Sequence, residues 1–205
     1  MFSKKKTLGR PKSPKKRQAI LEAAAELFPL KGFAGVSMME IADKAKVSKL
    51  TLYSHFTDKD DLFAQSVTDC CTKQLPHSIF QLAPGLNLEQ ALIAIGNAFL
   101  ELIMDEKAIT LHRMMITQSG IDLEHAQLYF KAGPERVMDE MQDLLVKAHQ
   151  SRALEINSPQ HAAEHFFCLL KGVSHMRVLM GMIEAPDKAK RERHVKEVVA
   201  LFMRA

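Results

Sequence analysis

Between Ser37 and Phe63 the apolar and polar positions alternate at helical spacing with unusually little chain between the repeats. Met38, Ile41, Ala42 and Ala45 recur at i, i+3, i+4 and i+7, one face of a helix. Ser37 with Glu40 three residues on is a capping-box pattern, which starts that helix at Met38. Only Lys46 and Val47 remain before Ser48, a good N-cap for a second helix from about Lys49 to His55. There Leu52 and Phe56 fall four apart on one side, while Lys49, Thr51, Tyr53 and His55 project elsewhere. Thr57 or Asp58 caps a third helix, whose Asp60 and Asp61 suit the positive end of the helix dipole, before Leu62 and Phe63. Short helices need such caps to persist. Two of them joined by roughly three residues have helix-turn-helix geometry, and a helix offering so many hydrogen-bonding groups away from its core suits a DNA groove.

Upstream, Ile20, Ala24, Leu27 and Phe28 give one apolar face to a helix over Lys15 to Lys31. Pro29 removes a hydrogen bond there and crowds the Ala25 carbonyl, which predicts a kink or a tightened last turn before Gly32. Downstream, strand-like alternation is absent and the breakers Pro76, Pro84-Gly85, Gly120, Gly133-Pro134, Ser158-Pro159 and Pro186 divide the chain. The pattern predicts helices at about 58–75, 88–104, 106–118, 123–131, 135–151, 160–182 and 187–203, with Pro134 and Pro159 in first turns. The chain is therefore expected to be all-α. Residues 1–13 are expected to be a disordered basic arm, 14–66 a three-helix helix-turn-helix domain, and 67–205 a larger helical domain for ligand binding and dimerisation.

Charge sharpens that division. Through Ser66 there are thirteen lysines and arginines against seven acids, a net +6, and since the whole chain is +4 the remainder is −2. Such asymmetry is the electrostatic footprint of a nucleic-acid-binding end. Eight of those cations precede Glu22, in a stretch with almost nothing to bury. This arm either reaches into the minor groove or along the backbone, or serves solubility alone. With 47% apolar and 25% charged residues in 205, the composition is that of a soluble protein. Phe166 to Ile183, the longest apolar stretch, is interrupted by Lys171, His175 and Arg177, so no membrane span is expected, and the basic N-terminus, which lacks an apolar core, is not read as a secretory signal. Cys70, Cys71 and Cys168 are read as reduced thiols of a cytoplasmic protein. A bond between the neighbours Cys70 and Cys71 would be strained, which favours two small helix residues over an oxidant sensor.

Ser37-x-x-Glu40-Ile-Ala, then Val47-Ser-Lys-x-Thr51-Leu-Tyr53-x-His-Phe56-x-x-Lys59-x-x-Leu62, with Ala-Glu-Leu-Phe-x-x-x-Gly-Phe between Ala25 and Phe33, resemble the DNA-binding domain of TetR/AcrR-type transcriptional repressors over about residues 15 to 66. The resemblance implies that Thr51 and its neighbours face the major groove, that Tyr53 and His55 touch phosphates, and that Lys59 contacts another. The expected DNA-binding set is Ser37, Lys46, Ser48, Lys49, Leu50, Thr51, Tyr53, His55 and Lys59. Tyr53 taken alone reads equally well as a core aromatic, but the constellation as a whole does not. Leu50 departs from the small or polar residue of many relatives, and either rests on a thymine methyl or packs on the preceding helix.

The body resembles the AefR-like C-terminal domain between about residues 80 and 180, and the family implies an inducer pocket and a four-helix dimer bundle. Segment 88–104 is apolar over several sides, as in a helix that is buried all round or lines a cavity. The expected effector residues are Asn97, Phe99, Met115, Gln118, Tyr129 and Met141, soft and aromatic surface for a small apolar effector. The expected dimer contacts are Phe166, Leu169, Val173, Met176, Val195, Val198 and Phe202. His161, His165, His175 and Glu164 lack a second ligand pair at zinc-like spacing, so no metal and no cofactor are expected. His112 and His125 are candidates for an anionic ligand group. No catalytic motif is present, so an enzyme is the least supported class. The leading expectation is a homodimer that represses from a palindromic double-stranded DNA operator until an effector releases it. The alternative is a constitutive DNA-binding dimer whose body is only a scaffold.

Overall fold

The computed structural model describes residues 13–82, 87–118 and 123–204. Among them the regular structure is entirely helical: α1 (Pro14–Lys31), α2 (Met38–Lys44), α3 (Lys49–His55), α4 (Lys59–Gln74), a 3₁₀ turn (His77–Phe80), α5 (Leu88–Ile103), α6 (Glu106–Gln118), α7 (Leu123–Phe130), a π segment (Lys131–Glu135), α8 (Arg136–Gln150), α9 (Pro159–Leu179) and α10 (Lys188–Phe202). The basic arm, apart from Ser13, and the breakers Pro84-Gly85 and Gly120 lie outside the described residues.

The predicted caps form, with one difference. The hydroxyls of Ser37 and Ser48 and the carboxylate of Asp58 each accept the backbone N–H three residues on, starting α2, α3 and α4. The Glu40 side chain does not return to the Ser37 N–H but pairs with Lys31, so the capping box is half made and its carboxylate instead ties α2 to α1. The reciprocal box appears where it was not expected, between Asn87 and Gln90 at the start of α5.

Among the described residues, α2, α8 and α9 end in the Schellman arrangement, in which the N–H groups of the first and second residues past the cap turn back onto the last turn. After α9 the left-handed position holds Gly181. After α2 and α8 it holds Lys46 (φ 53°) and Arg152 (φ 62°), where a side chain is strained. Lys46 N–H bonds the Asp43 carbonyl and Val47 N–H that of Ala42. This closes the turn of the helix-turn-helix.

Three expectations need correcting. Pro29 does not tighten the end of α1: the helix runs on to Lys31 and the Gly32 N–H still reaches Phe28 with four-residue spacing at 3.0 Å. Gly133-Pro134 does not separate two helices. Phe130 and Arg136 keep right-handed helical dihedrals on either side, and the wider π turn carries α7 into α8 while accommodating the proline ring. The helix expected over 160–182 ends at Leu179 and is broken inside by Gly172 (φ 50°, ψ −168°). His194 of α10 meets the Leu170 carbonyl beside that break at 3.0 Å.

Burial divides into two apolar clusters. One joins α1 to α4, centred on the mutually packed rings of Phe28, Phe33 and Phe63, and takes in Met115 of α6. The other joins α5, α8, α9 and α10. Segment 88–104 is buried on several sides as its pattern predicted, and at Gly96 an added Cβ would come within 2.8 Å of Val195 on α10. Cys71 on α4 packs against both clusters.

Candidate nucleic-acid interface and ligand cavity

Leu52 and Phe56 of α3 are buried, which turns Lys49, Leu50, Tyr53 and Ser54 outward. Leu50 is 82% exposed, so the reading in which it packs on the preceding helix is excluded. Tyr53 is 45% exposed and is no core aromatic, whereas Phe56 is one, with the Arg17 guanidinium 5.4 Å from its ring centre. The Lys49 ammonium lies 5.9 Å from the Tyr53 ring, placing a cation beside a phenol on the outer face. Lys46 and Ser48 are exposed in the turn, Ser37 is exposed before α2, and Thr51 and His55 are half-buried. The Ser48 and Thr51 hydroxyls lie 3.0 Å apart.

Lys59 is placed differently from a free surface cation. Its ammonium donates to the carbonyls of Phe33 at 2.9 Å and Val36 at 3.1 Å, and stands 4.3 Å from the Phe33 ring centre. One of its three donors remains. The lysine therefore locks the loop before α2 onto the start of α4. Nothing in its sequence context separates that task from a surface role.

Between these helices and the body lies a cavity of about 230 Å³. Ala25, Phe28 and Pro29 of α1 and Phe63, Ser66 and Val67 of α4 wall one side. Phe99, His112, Tyr129, Phe130 and Phe167 face it from α5, α6, α7 and α9. Of the expected effector residues, only Phe99 and Tyr129 are brought together here. Met115 is taken up by the N-terminal cluster and Met141 is fully buried in the other. Asn97 does not line the cavity, though its Oδ1 is buried without a partner among the described residues, and the Gln118 side chain lies outside them. Sequence pattern missed the α1 and α4 contributions, because Phe28 and Phe63 look like ordinary core positions.

Burial favours the neutral forms of His112, Cys70, Cys71 and Tyr129 in the cavity wall. Burial, with His175 and Lys171 nearby, pulls the His112 imidazole down to about 4, and its Nδ1 has no partner among the described residues. Burial pushes the Cys71 thiol up to about 12 and raises Cys70 and the Tyr129 phenol. All three cysteines are unbridged and line this cavity, and the raised Cys70 and Cys71 thiols disfavour thiolate chemistry. His125 does not: its ring lies on Phe33 and its Nε2 is 3.0 Å from Asp60 Oδ1, so the proposed anion role has no place in this cavity.

The expected dimer residues split. Phe166, Val195, Val198 and Phe202 are buried in the chain's own core and leave little surface for a partner. Val173 and Met176 are 66% and 60% exposed, and Leu169, Met180 and Leu201 are exposed as well. The periodicity identified apolar positions but not which face the chain fills itself. No group of three metal-ligating side chains occurs among the described residues, and no described helix is long and apolar enough to cross a membrane.

Residues 20–65 match the tetR family of bacterial regulatory proteins, and residues 90–205 match the C-terminal domain of AefR-like transcriptional repressors. A TetR-family transcriptional regulator from Mesorhizobium loti is 28% identical with a TM-score of 0.75, over 94% of this chain and 98% of that one. The flavonoid-responsive regulator FrrA is 29% identical with a TM-score of 0.70, over 94% and 97%. The HTH-type transcriptional regulator YdeS of Bacillus subtilis is 40% identical over 68 residues, 33% of this chain and 34% of YdeS. FasR, an HTH-type transcriptional activator of Mycolicibacterium smegmatis, is 28% identical over 147 residues, 69% of this chain and 66% of FasR. The matched stretches thus span less than two thirds of these two curated relatives.

Proposed function

The chain belongs to the TetR family of bacterial regulatory proteins, with an AefR-like C-terminal domain, and from that premise we propose a repressor that holds a palindromic operator as a homodimer until a small, largely apolar effector enters the cavity. One observation carries the reading: the cavity is walled jointly by α1 and α4, which frame the helix-turn-helix, and by the helices of the body. An occupant that fits one spacing of these two walls better than another shifts the population between DNA-competent and DNA-incompetent arrangements. FrrA, described as responsive to a flavonoid, supports a small-molecule effector.

On the DNA side, α3 enters the major groove, with Leu50 against a thymine methyl and Thr51 against base edges. Lys46, Lys49, Tyr53 and His55 serve phosphates, as do the hydroxyls of Ser37 and Ser48, which still have a proton to donate after capping. Lys59 retains one donor for the same purpose. The basic arm, with its five cations through Ser13, follows the backbone or minor groove, and Lys15, Lys16 and Arg17 carry the same charge into the start of α1. The exposed apolar side chains Val173, Met176 and Met180 around the end of α9 pair with their copies, since a two-fold dimer reads two half-sites where one helix has too few base contacts. The protein works in the cytoplasm, where its thiols stay reduced.

The test is selection of bound fragments from random DNA at about 0.15 M salt, followed by a screen for compounds that release them. Recovery of one palindrome with at least one releasing compound is expected. A palindrome that no compound releases leaves the constitutive dimer; absence of sequence preference overturns the operator reading.

A further inference from the structure

We propose that the cavity is built for an uncharged aromatic hydroxyl compound, and that the ligand's hydroxyl donates to the main-chain carbonyl of Ala25, which Pro29 leaves without its helical donor. Calling that compound the effector rests on the preceding reading; its binding does not.

In a regular helix the amide of residue 29 would bond the carbonyl of residue 25. Pro29 has no N–H to give, yet α1 continues through it to Lys31. Ala25 and Pro29 stand one turn apart on the same face of α1, and both line the cavity, so this carbonyl lies between two lining residues. An acceptor set in an apolar wall favours a guest with a proton to donate and penalises one without. The proline that departs from the ordinary pattern of the first helix thereby acquires a task.

The rest of the wall sets the guest's charge and shape. The rings of Phe28, Phe63, Phe99, Tyr129, Phe130 and Phe167 surround the space, which suits a flat aromatic frame. Its volume of about 230 Å³ is below the roughly 300–1,000 Å³ of sites for drug-sized ligands, so one or two rings fill it. The charged lining residues, Asp105 and Glu164 with Lys107 and Lys171, balance in sign. Asp105 is already occupied in accepting the Lys107 and Ala108 amides, and Lys107 reaches toward Glu26. His112 is neutral at pH 7. Glu164 and Lys171 offset one another, so the lining gives neither a carboxylate nor an amine a net opposite charge, whereas a neutral hydroxyl finds the Ala25 carbonyl.

Calorimetric titration of the full-length protein without DNA, at pH 7.5, tests this with three probes: 4-hydroxybiphenyl, its methyl ether and biphenyl-4-carboxylate. The phenol is expected to bind at least about tenfold more tightly than the ether, with the carboxylate weaker than either. Pro29→Ala, a favourable change inside a helix, returns an N–H to Ala25 and should bring phenol and ether within about twofold, while His112→Phe should leave the preference intact. The assignment is overturned if wild type binds phenol and ether alike, if the preference survives Pro29→Ala, or if it vanishes in His112→Phe instead. Operator binding by the ligand-free wild type is measured separately. Phenol binding that meets every expectation but releases no DNA upholds the site and removes only its role as effector.

Discussion

The ammonium of Lys59 stands 4.3 Å from the centre of the Phe33 ring and donates to that residue's carbonyl at 2.9 Å. A residue expected only to meet phosphate is also a clamp between the loop before α2 and the start of α4. Lys59→Met keeps the apolar stem and leaves two carbonyls without their donor, which should lower unfolding free energy by about 1–3 kcal/mol as well as weaken DNA binding. Urea denaturation checks it. A wild-type midpoint in a variant that has lost DNA affinity would confine Lys59 to phosphate.

Leu50 and its neighbours on α3 should separate specificity from affinity. Leu50→Ala, at an 82% exposed position, is expected to change stability by less than about 0.5 kcal/mol while altering the preferred operator. Lys49→Ala should weaken binding to all sequences and reduce the salt slope by about one unit. Unchanged base preference in Leu50→Ala would remove its base-reading role.

Lys46 holds a left-handed conformation in the turn. Lys46→Gly relieves that strain and should raise stability by up to about 1 kcal/mol, yet lower DNA affinity through the lost charge. Thermal unfolding and fluorescence anisotropy read the two effects independently. If stability falls, the lysine stem contributes packing that its exposure conceals.

Two substitutions on neighbouring helices should behave oppositely. Met176→Glu places a charge among the exposed apolar side chains around the end of α9 and is expected to yield a folded monomer in sedimentation at micromolar concentration. Val195→Ala, under Gly96, opens a hole in the core and should lower stability by about 1–3 kcal/mol without separating the dimer. A wild-type protein that sediments as a monomer would refute the dimer outright.

Acid should destabilise the fold through its buried imidazoles. Burial lowers His112 to about 4 and lowers His175 as well, so between about pH 6.5 and 4 the unfolded chain takes up protons that the native one refuses. Stability from this source is complete above pH 6.5 and declines as pH falls through that window, by on the order of 2–3 kcal/mol for His112. His112→Phe should flatten this part of a stability curve measured by urea titration from pH 7.5 to 4. An unaltered slope would show that carboxylates alone govern the acid response.

Local chemistry explains what was legible in the sequence. Ser37, Ser48 and Asp58 announce their helices because a cap acts within three residues, and the outward turn of α3 follows from Leu52 and Phe56 alone. Pairing between distant helices leaves no such mark. Val195 and Val173 both sit in apolar helical patterns, but only packing of α10 against α5 buries the first while the second stays outside. The cavity was misplaced for the same reason: Met141 and Phe63 are both apolar, and which of them borders empty space is decided by tertiary fit. At Gly133-Pro134 a reliable local stop signal was overridden by the continuity of α7 and α8, where Gly133 lies close against Val67 and Cys71.

The π segment at Lys131–Glu135 fixes a rotational phase. Its hydrogen bonds reach five residues rather than four, so the wider turn takes up one extra residue while Val137, Met141, Leu144, Leu145 and Ala148 still face inward. Losing one residue here would leave a plain α-helix with those side chains still directed at the core, whereas the same deletion in the middle of α8 would turn everything beyond it by about 100°. This short stretch should therefore accept a change of length that the rest of α8 would refuse.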